Sequence, residues 1–249
     1  MTASVLVLRP RPGADETVDA LRGHGIPARA LPVLELVPRP ETPALRELVQ
    51  RLDEFDVVVF VSPAAVRFGM KCIDAHWPQY PVRTEWLAVG ERTREEMAAW
   101  SIRAGVPERE ETAEGLLDSP LLQAPGPERV LLVRGEGGRE VLAEGLADRG
   151  IRVEHLVVHE RRPLQVELPP ADQVAAMVAS SGAVVDALVA TGGLRLGERP
   201  LIVPSERVAA RARAAGFTRV RVAAGAGFPA TRRALAALGI TDGSTGGQQ

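Results

Sequence analysis

The residues best placed for chemistry stand at the ends of short apolar runs. RGEGGRE (134–140) follows one such run directly and opens a helical stretch. Backbone N–H groups left free at a helix start, together with the helix dipole, suit an anion, and Arg134 and Arg139 add charge. The glycines do not form a dinucleotide fingerprint. After Gly135 and Gly137 the third position is Glu140, and no lysine completes a P-loop. A tight strand-to-helix turn needing positive φ accounts equally for the glycines. Ser62, Ser180 with Ser181, and Ser205 hold comparable positions, after apolar runs and before helical ones. Each reads as a helix N-cap or as a donor to a bound carboxylate. None lies in G-x-S-x-G or has an obvious histidine partner, so serine nucleophile chemistry is not indicated.

The remaining reactive side chains give weaker signals. Of His24, His76, His155 and His159, only the last two are close together, and their spacing falls in a predicted strand rather than on one helix face. No metal site is expected. His159 reads as a solvated residue opening a linker, with a place in a ligand cleft as the alternative. Lys71 is the only lysine among the 30 basic residues, and its surroundings fit neither a Schiff base nor a P-loop. Cys72, the only cysteine, lies in a predicted helix and reads as core; an internal disulfide is excluded, which fits a reducing compartment. A net charge of −2 and 4% aromatic residues argue against a nucleic-acid surface. The apolar run near the start is too short for a signal peptide and no run reaches membrane-spanning length, so a cytoplasmic protein is expected.

The elements that must position these residues alternate. SVLVL (4–8), ARALPVL (28–34), VVVFV (57–61), WLAV (86–89), RVLLV (129–133), RVEHLVV (152–158), VAAMVA (174–179), LIV (201–203) and VRVA (220–223) read as strands, with helical periods between most of them. Strands alternating with helices imply parallel sheets with right-handed crossovers. An internal repeat sharpens this. At a fixed offset of 125, Arg9 falls on Arg134, Gly13 on Gly138, Leu21 on Leu146, Gly25 on Gly150, Ile26 on Ile151 and Glu35 on Glu160. Ser62 also corresponds to Ser180, and AVGERT (88–93) to IVPSER (202–207). Two similar α/β domains are expected, each a parallel sheet flanked by helices. After each repeat copy comes an extended stretch containing proline, which reads as a domain crossing. The division expected is 1–35 with 166–240 as one domain, 41–158 as the other, linkers at 36–40 and 159–165, and a disordered tail at 241–249. A double linker implies a hinge and a cleft where a ligand would bind.

Taken in order, VVVFVSPAAV, AVGERT, RVLLVRGEGGREVLAEGLADRG and VPSERVAARARAAGF resemble the bacterial uroporphyrinogen-III synthase family. The resemblance implies two α/β domains on a two-stranded linker and a cofactor-free lyase working as a cytoplasmic monomer. Its substrate would be hydroxymethylbilane, handed over by the preceding enzyme; water is lost, the terminal pyrrole ring inverts and the macrocycle closes. The substrate's acetate and propionate arms would be held by Arg9, Ser62, Thr93, Arg134, Gly135, Gly137, Gly138, Arg139, Ser180, Ser181 and Ser205. A tyrosine of the family pattern is replaced here by His159, which becomes the candidate acid for the leaving hydroxyl. In that role its pKa should lie near or above the ordinary value of about 6.5. The alternative to an enzyme is a non-catalytic two-domain binder of an anionic small molecule; a nucleotide-dependent enzyme is disfavoured by Glu140.

Overall fold

A computed structural model describes residues 3–241 apart from 109, 111, 124, 125, 138, 139, 224 and 226. The expected tail beyond 241, and Gly138 and Arg139 of the glycine-rich turn, therefore lie outside the described residues. In chain order the elements begin with β1 (Ser4–Val7), α1 (Gly13–Gly23), β2 (Ala28–Ala30), β3 (Leu34–Pro38), α2 (Pro43–Gln50) and β4 (Val57–Phe60). There follow α3 (Pro63–Asp74), β5 (Glu85–Ala88), α4 (Glu91–Ala98), α5 (Ala113–Leu117), β6 (Arg129–Gly135), α6 (Val141–Ala147) and β7 (Arg152–Pro163). The chain ends with β8 (Val174–Val178), α7 (Gly182–Ala190), β9 (Leu201–Val203), α8 (Glu206–Ala214), β10 (Val220–Val222) and α9 (Phe228–Ala236).

Two compact units divide the chain. One holds the residues up to Leu36 and from Arg162 onward, the other Val37–Arg161. The first contains a sheet in the order β10-β9-β8-β1-β2, whose pairings are parallel. Leu6 of its β1, and Leu8 just beyond it, face α7 and α8, while Val5 and Val7 face α1 and α9, the period of two that a strand imposes. The second contains the sheet β3-β7-β6-β4-β5, parallel from β7 to β5. Leu131 and Val133 of β6 pack under α3, and Val130 and Leu132 under α5 and α6. Sheets buried on both faces explain why the strands read as near-continuous apolar runs. The fold is thus two α/β sheets flanked by helices, each carrying β9-β8-β1-β2 or β5-β4-β6-β7 in matching order.

The expected strand at 28–34 is corrected. It is two strands in different sheets, β2 beside β1 and β3 beside β7. Pro32 between them has no N–H to give to a ladder. The repeat-equivalent stretch on the other side, β7, runs unbroken to Pro163. Val33 accepts from the Leu164 N–H and Val158 from the Arg39 N–H, so β3 and β7 run antiparallel as the chain passes between the units.

Helix α3 forms the roof of the second sheet, and its start and its closeness to the strands are set by local sequence. Ser62 caps it, its Oγ accepting from the Ala65 N–H at 3.1 Å, and Pro63 takes the first helical position. Gly69 lets α3 lie close on the sheet: a Cβ there would sit 2.5 Å from Val133 Cγ1 and 3.1 Å from Phe60 Cε1. Gly69→Ala should therefore lower the unfolding free energy by about 1–3 kcal/mol, read from urea denaturation midpoints. An unchanged midpoint would mean that helix and sheet do not pack at this distance.

Candidate functional site

Parallel strands bring their carboxyl ends to one edge of each sheet, the edge where open α/β sheets take ligands. In the first unit that edge carries Arg9 after β1, Ser180 and Ser181 after β8, and Ser205 after β9. Arg9 is half-buried and donates to Thr17 Oγ1 at 3.4 Å. Gly13 leaves it room, since a Cβ there would stand 2.8 Å from Arg9 Nε. A small pocket at this edge is lined by Arg9, Thr17, Ser180, Pro204, Gly225 and Thr231. Ser181 caps α7 through the Val184 N–H at 3.4 Å. Ser205 stands at the N-cap of α8, but its hydroxyl makes no cap bond.

The corresponding edge of the second unit is richer. Ser62 follows β4 and spends its Oγ on the cap of α3. Thr93 is buried in the first turn of α4, its N–H held by the Gly90 carbonyl at 3.0 Å. Arg134, near the end of β6, is only 6% exposed. Its Nη1 donates to Glu140 Oε2 at 2.8 Å and lies 3.4 Å from His155 Nδ1. That hydrogen bond from Arg134 holds the Glu140 carboxyl below the usual carboxylate range. Burial first, and then the Arg134 charge, lower the pKa of His155. The turn beyond β6 is pinned from three sides. The Glu136 N–H donates to the His159 carbonyl at 2.8 Å, Arg161 Nη1 to the Glu136 carbonyl at 2.7 Å, and Arg39 Nη1 to Glu136 Oε1 at 3.3 Å. Gly137 has φ +62°, a left-handed conformation that a side chain would strain.

His159 is not the solvated linker residue expected from sequence. It is 3% exposed. The cause is a β-bulge: Arg134 pairs with Val157 but Gly135 with His159, so Val158 is an extra residue in β7. Val158 packs on the α3 face, and the bulge turns the next residue to that same face instead of the opposite one. The imidazole stacks on Phe68 of α3, with centroids 5.2 Å apart and planes 28° from parallel. Its Nε2 edge lies over Gly135, where a Cβ would be 2.4 Å away. Its Nδ1 is buried without a hydrogen-bond partner. The expected pKa is also corrected. Burial foremost, then the charges of Arg161 and Arg67, push it down to about 4, so the ring is neutral at pH 7.

Sequence reading missed Arg67, Arg161 and Phe68. Arg161 could have been found two residues beyond His159 on the same strand, and Arg67 in the second turn of the helix that Ser62 opens. Arg67 pairs with Glu96 of α4 at 3.1 Å. No cluster of three or more His, Cys, Asp or Glu able to hold a metal occurs among the described residues. Cys72 packs against the core, and burial raises its thiol pKa, the opposite of an activated nucleophile. Among the described residues no helix is long and apolar enough to cross a membrane.

Gly135→Ala should push the imidazole off Gly135 and raise the His159 pKa from about 4 toward the ordinary value near 6.5, followed by NMR titration of the ring protons. The unfolded chain takes up a proton near pH 6.5 that the native wild type refuses until about 4. Wild-type stability is therefore lost through His159 as pH falls across that window, and the variant should lose less. An unmoved titration in Gly135→Ala would show that the glycine does not shape the surroundings of the imidazole.

A family model described as uroporphyrinogen-III synthase HemD matches residues 15–231. The uroporphyrinogen-III synthases of Salmonella typhimurium and Escherichia coli are each 31% identical, across 93% of this chain and 99% of theirs. Among solved structures, a mutant uroporphyrinogen III synthase from Thermus thermophilus matches with a TM-score of 0.60 at 18% identity, over 94% of this chain and 100% of that one. The uroporphyrinogen-III synthetase of Helicobacter pylori matches with a TM-score of 0.59 at 14% identity, over 95% and 100%. The two structures share the fold; the family model and the sequence relatives, matched over most of the chain, say more, and this chain belongs to the uroporphyrinogen-III synthase family.

Proposed function

We propose that this chain converts hydroxymethylbilane to uroporphyrinogen III as a cofactor-independent cyclising hydro-lyase. In a chain of this family, the observation that carries the reading is the concentration of guanidinium groups at the carboxyl edge of the second unit's sheet, where Arg39, Arg67, Arg134 and Arg161 surround the end of β6 and β7. A linear tetrapyrrole with carboxylate arms on every ring needs many charge-assisted donors, and arginine supplies them in a fixed fork. Arg9, with Ser180 and Ser205, offers a smaller set at the edge of the first unit. The substrate comes from the enzyme that makes it, and the protein acts as a cytoplasmic monomer.

The chemistry asks for conformation more than for a strong reagent. The nitrogen lone pair of the hydroxymethyl-bearing pyrrole expels hydroxide, which takes a proton and leaves as water. The azafulvene carbon is then attacked by the substituted α-carbon of the terminal ring. Passage through the resulting spiro centre transfers the bridging carbon to the other side of that ring, and a final proton loss restores the pyrrole. Released in water, the same azafulvene closes without inversion. Holding the terminal ring so that the spiro attack comes first is an effect of orientation.

Incubation with enzymatically made hydroxymethylbilane, followed by chromatographic separation of the isomers, should give the inverted product. Alanine at Arg9, Arg134, Arg161 or Ser205 should each lower kcat/KM by a few-fold to about a hundredfold, since each removes one hydrogen bond to a charged group among many. Ser62→Ala should do the same and also lose about 1 kcal/mol of stability with its cap. Bilane binding with no gain of the inverted isomer would favour a non-catalytic binder, and total loss of activity in Ser62→Ala would point to covalent catalysis.

A further inference from the structure

The sheet of the first unit has a second edge, where its parallel strands begin, and a surface cavity of about 570 Å³ opens there. Arg195, Arg199 and Arg219 line it together with Leu194 and Thr218, and Glu198 is the only carboxylate among the lining residues. The loops that carry these arginines are fastened to each other. The Gly197 carbonyl accepts the Thr218 N–H at 3.1 Å and the Thr218 hydroxyl at 3.2 Å, and the Arg219 carbonyl accepts the Leu201 N–H at 2.8 Å. The wall is close-built at Gly197, where a Cβ would stand 2.9 Å from the Leu194 carbonyl oxygen. Arg195 is held by donating its Nη2 to the Leu168 carbonyl. Arg199 and Arg219 make no side-chain hydrogen bond or ion pair with any described residue. Two exposed arginines of α8 in the same unit do have carboxylates, Arg211 with Asp186 and Arg213 with Glu206.

We propose that this cavity is a binding site for a small polyanion, a molecule with phosphoryl or carboxylate oxygens on at least two separate groups. Three guanidinium groups against one carboxylate leave two positive charges unbalanced, in a chain whose net charge is −2. Like charges gathered around one cavity repel, and an anion placed among them removes that cost while gaining charge-assisted hydrogen bonds. Each planar guanidinium takes two oxygens of one group. Arg199 precedes β9 and Arg219 precedes β10, so the two unpartnered cations come from different loops and suit different groups of one ligand. Leu194, 45% exposed, gives the same ligand an apolar contact. The site is distinct from the edge that carries Arg9, Ser180 and Ser205. The lengths of β8 and β9, at about 3.3 Å per residue, hold the two edges roughly 10–17 Å apart. A ligand here therefore stays clear of the carboxyl edge, and the inference does not rest on the bilane-cyclising function.

The experiment titrates the full chain with pyrophosphate, with citrate and with acetate at matched low ionic strength, by calorimetry. Wild type is compared with the double variant Arg199→Gln/Arg219→Gln and with Arg199→Lys/Arg219→Lys. Pyrophosphate or citrate should bind wild type at least about tenfold more tightly than acetate, because each can reach both arginines. The glutamine pair should lose about tenfold or more in affinity, and the lysine pair should recover part of it by keeping the charge without the fork. The two polyanions tell a phosphoryl ligand from a carboxylate one. Nitrogen-15 NMR of arginine-labelled wild type gives a readout that does not depend on how the variants fold. The Nε resonances of Arg199 and Arg219 should move on addition of the tighter polyanion. Wild type that binds neither polyanion more tightly than acetate, a glutamine pair with wild-type affinity, or Nε resonances blind to the ligand would each overturn the inference.

Discussion

Matched residues of a parallel strand pair present their side chains to the same face, so a one-residue shift in the β6–β7 register reassigns everything beyond it. Before the shift, Arg134 lies on the α6 side with Glu140 and His155. After it, His159 joins Val158 on the α3 side and meets Phe68. A regular ladder would have placed His159 with Arg134, adding another titratable ring to a buried guanidinium. The bulge separates them across the thickness of the sheet. It also brings the His159 carbonyl to the Glu136 N–H, which ties down the turn that carries the site's glycines. One extra residue thus sets both the side chains of the edge and the backbone that frames them.

Three of the arginines at this edge already have carboxylate partners, Arg134 with Glu140, Arg67 with Glu96, and Arg39 with Glu136, while Arg161 donates to the Glu136 backbone carbonyl. A buried guanidinium without a counter-ion would be expensive, so Arg134 needs Glu140 whenever no ligand is present. The Glu140 side chain is itself half-exposed, which leaves it free to exchange. On the function proposed above, an anionic substrate would replace internal carboxylates one at a time instead of entering a ready-made cationic hole. Each exchange gains the small difference between two charge-assisted pairs, and affinity is spread over many residues. That is the opposite of a single indispensable catalytic group, and it suits a reaction in which the shape of the bound chain selects the product.

Much of this was legible in the sequence where the physics is local. The parallel α/β class followed from apolar runs alternating with helical periods, and the caps at Ser62 and Ser181 from a serine preceding a helical stretch. The gapless repeat had its structural counterpart in four strands arranged in the same order in both sheets. Properties of pairing were not legible. Residues 28–34 looked like one strand because Leu31, Val33 and Leu34 continue its apolar run, yet which sheet each half joins is decided by partners far away. His159 looked solvated because arginines and a proline follow it, and nothing in a single strand announces a bulge. Glu140 was noticed for spoiling a glycine pattern, while its ion pair with Arg134 depends on the path of the turn between them.

The two repeat copies separate what the fold requires from what the chemistry adds. Both place an arginine at the carboxyl end of the first strand, Arg9 just beyond β1 and Arg134 in the last residues of β6, so a cation at the carboxyl edge belongs to the shared plan. From there the copies diverge in a coordinated way. The first has Pro10 followed by a break at Pro32 and a buried Leu34, giving two short strands with an apolar join. The second has Gly135, an unbroken β7 with a bulge, and a buried His159. Packing alone is satisfied by the first solution, because leucine fills the same depth and asks for no partner. The second accepts a bare Cα, a local kink and an orphaned nitrogen, three destabilising features within one strand pair. Their coincidence in only one copy, beside the arginines, is a local departure from the packing solution of the other copy, of the kind that the ligand contact proposed for that edge would account for.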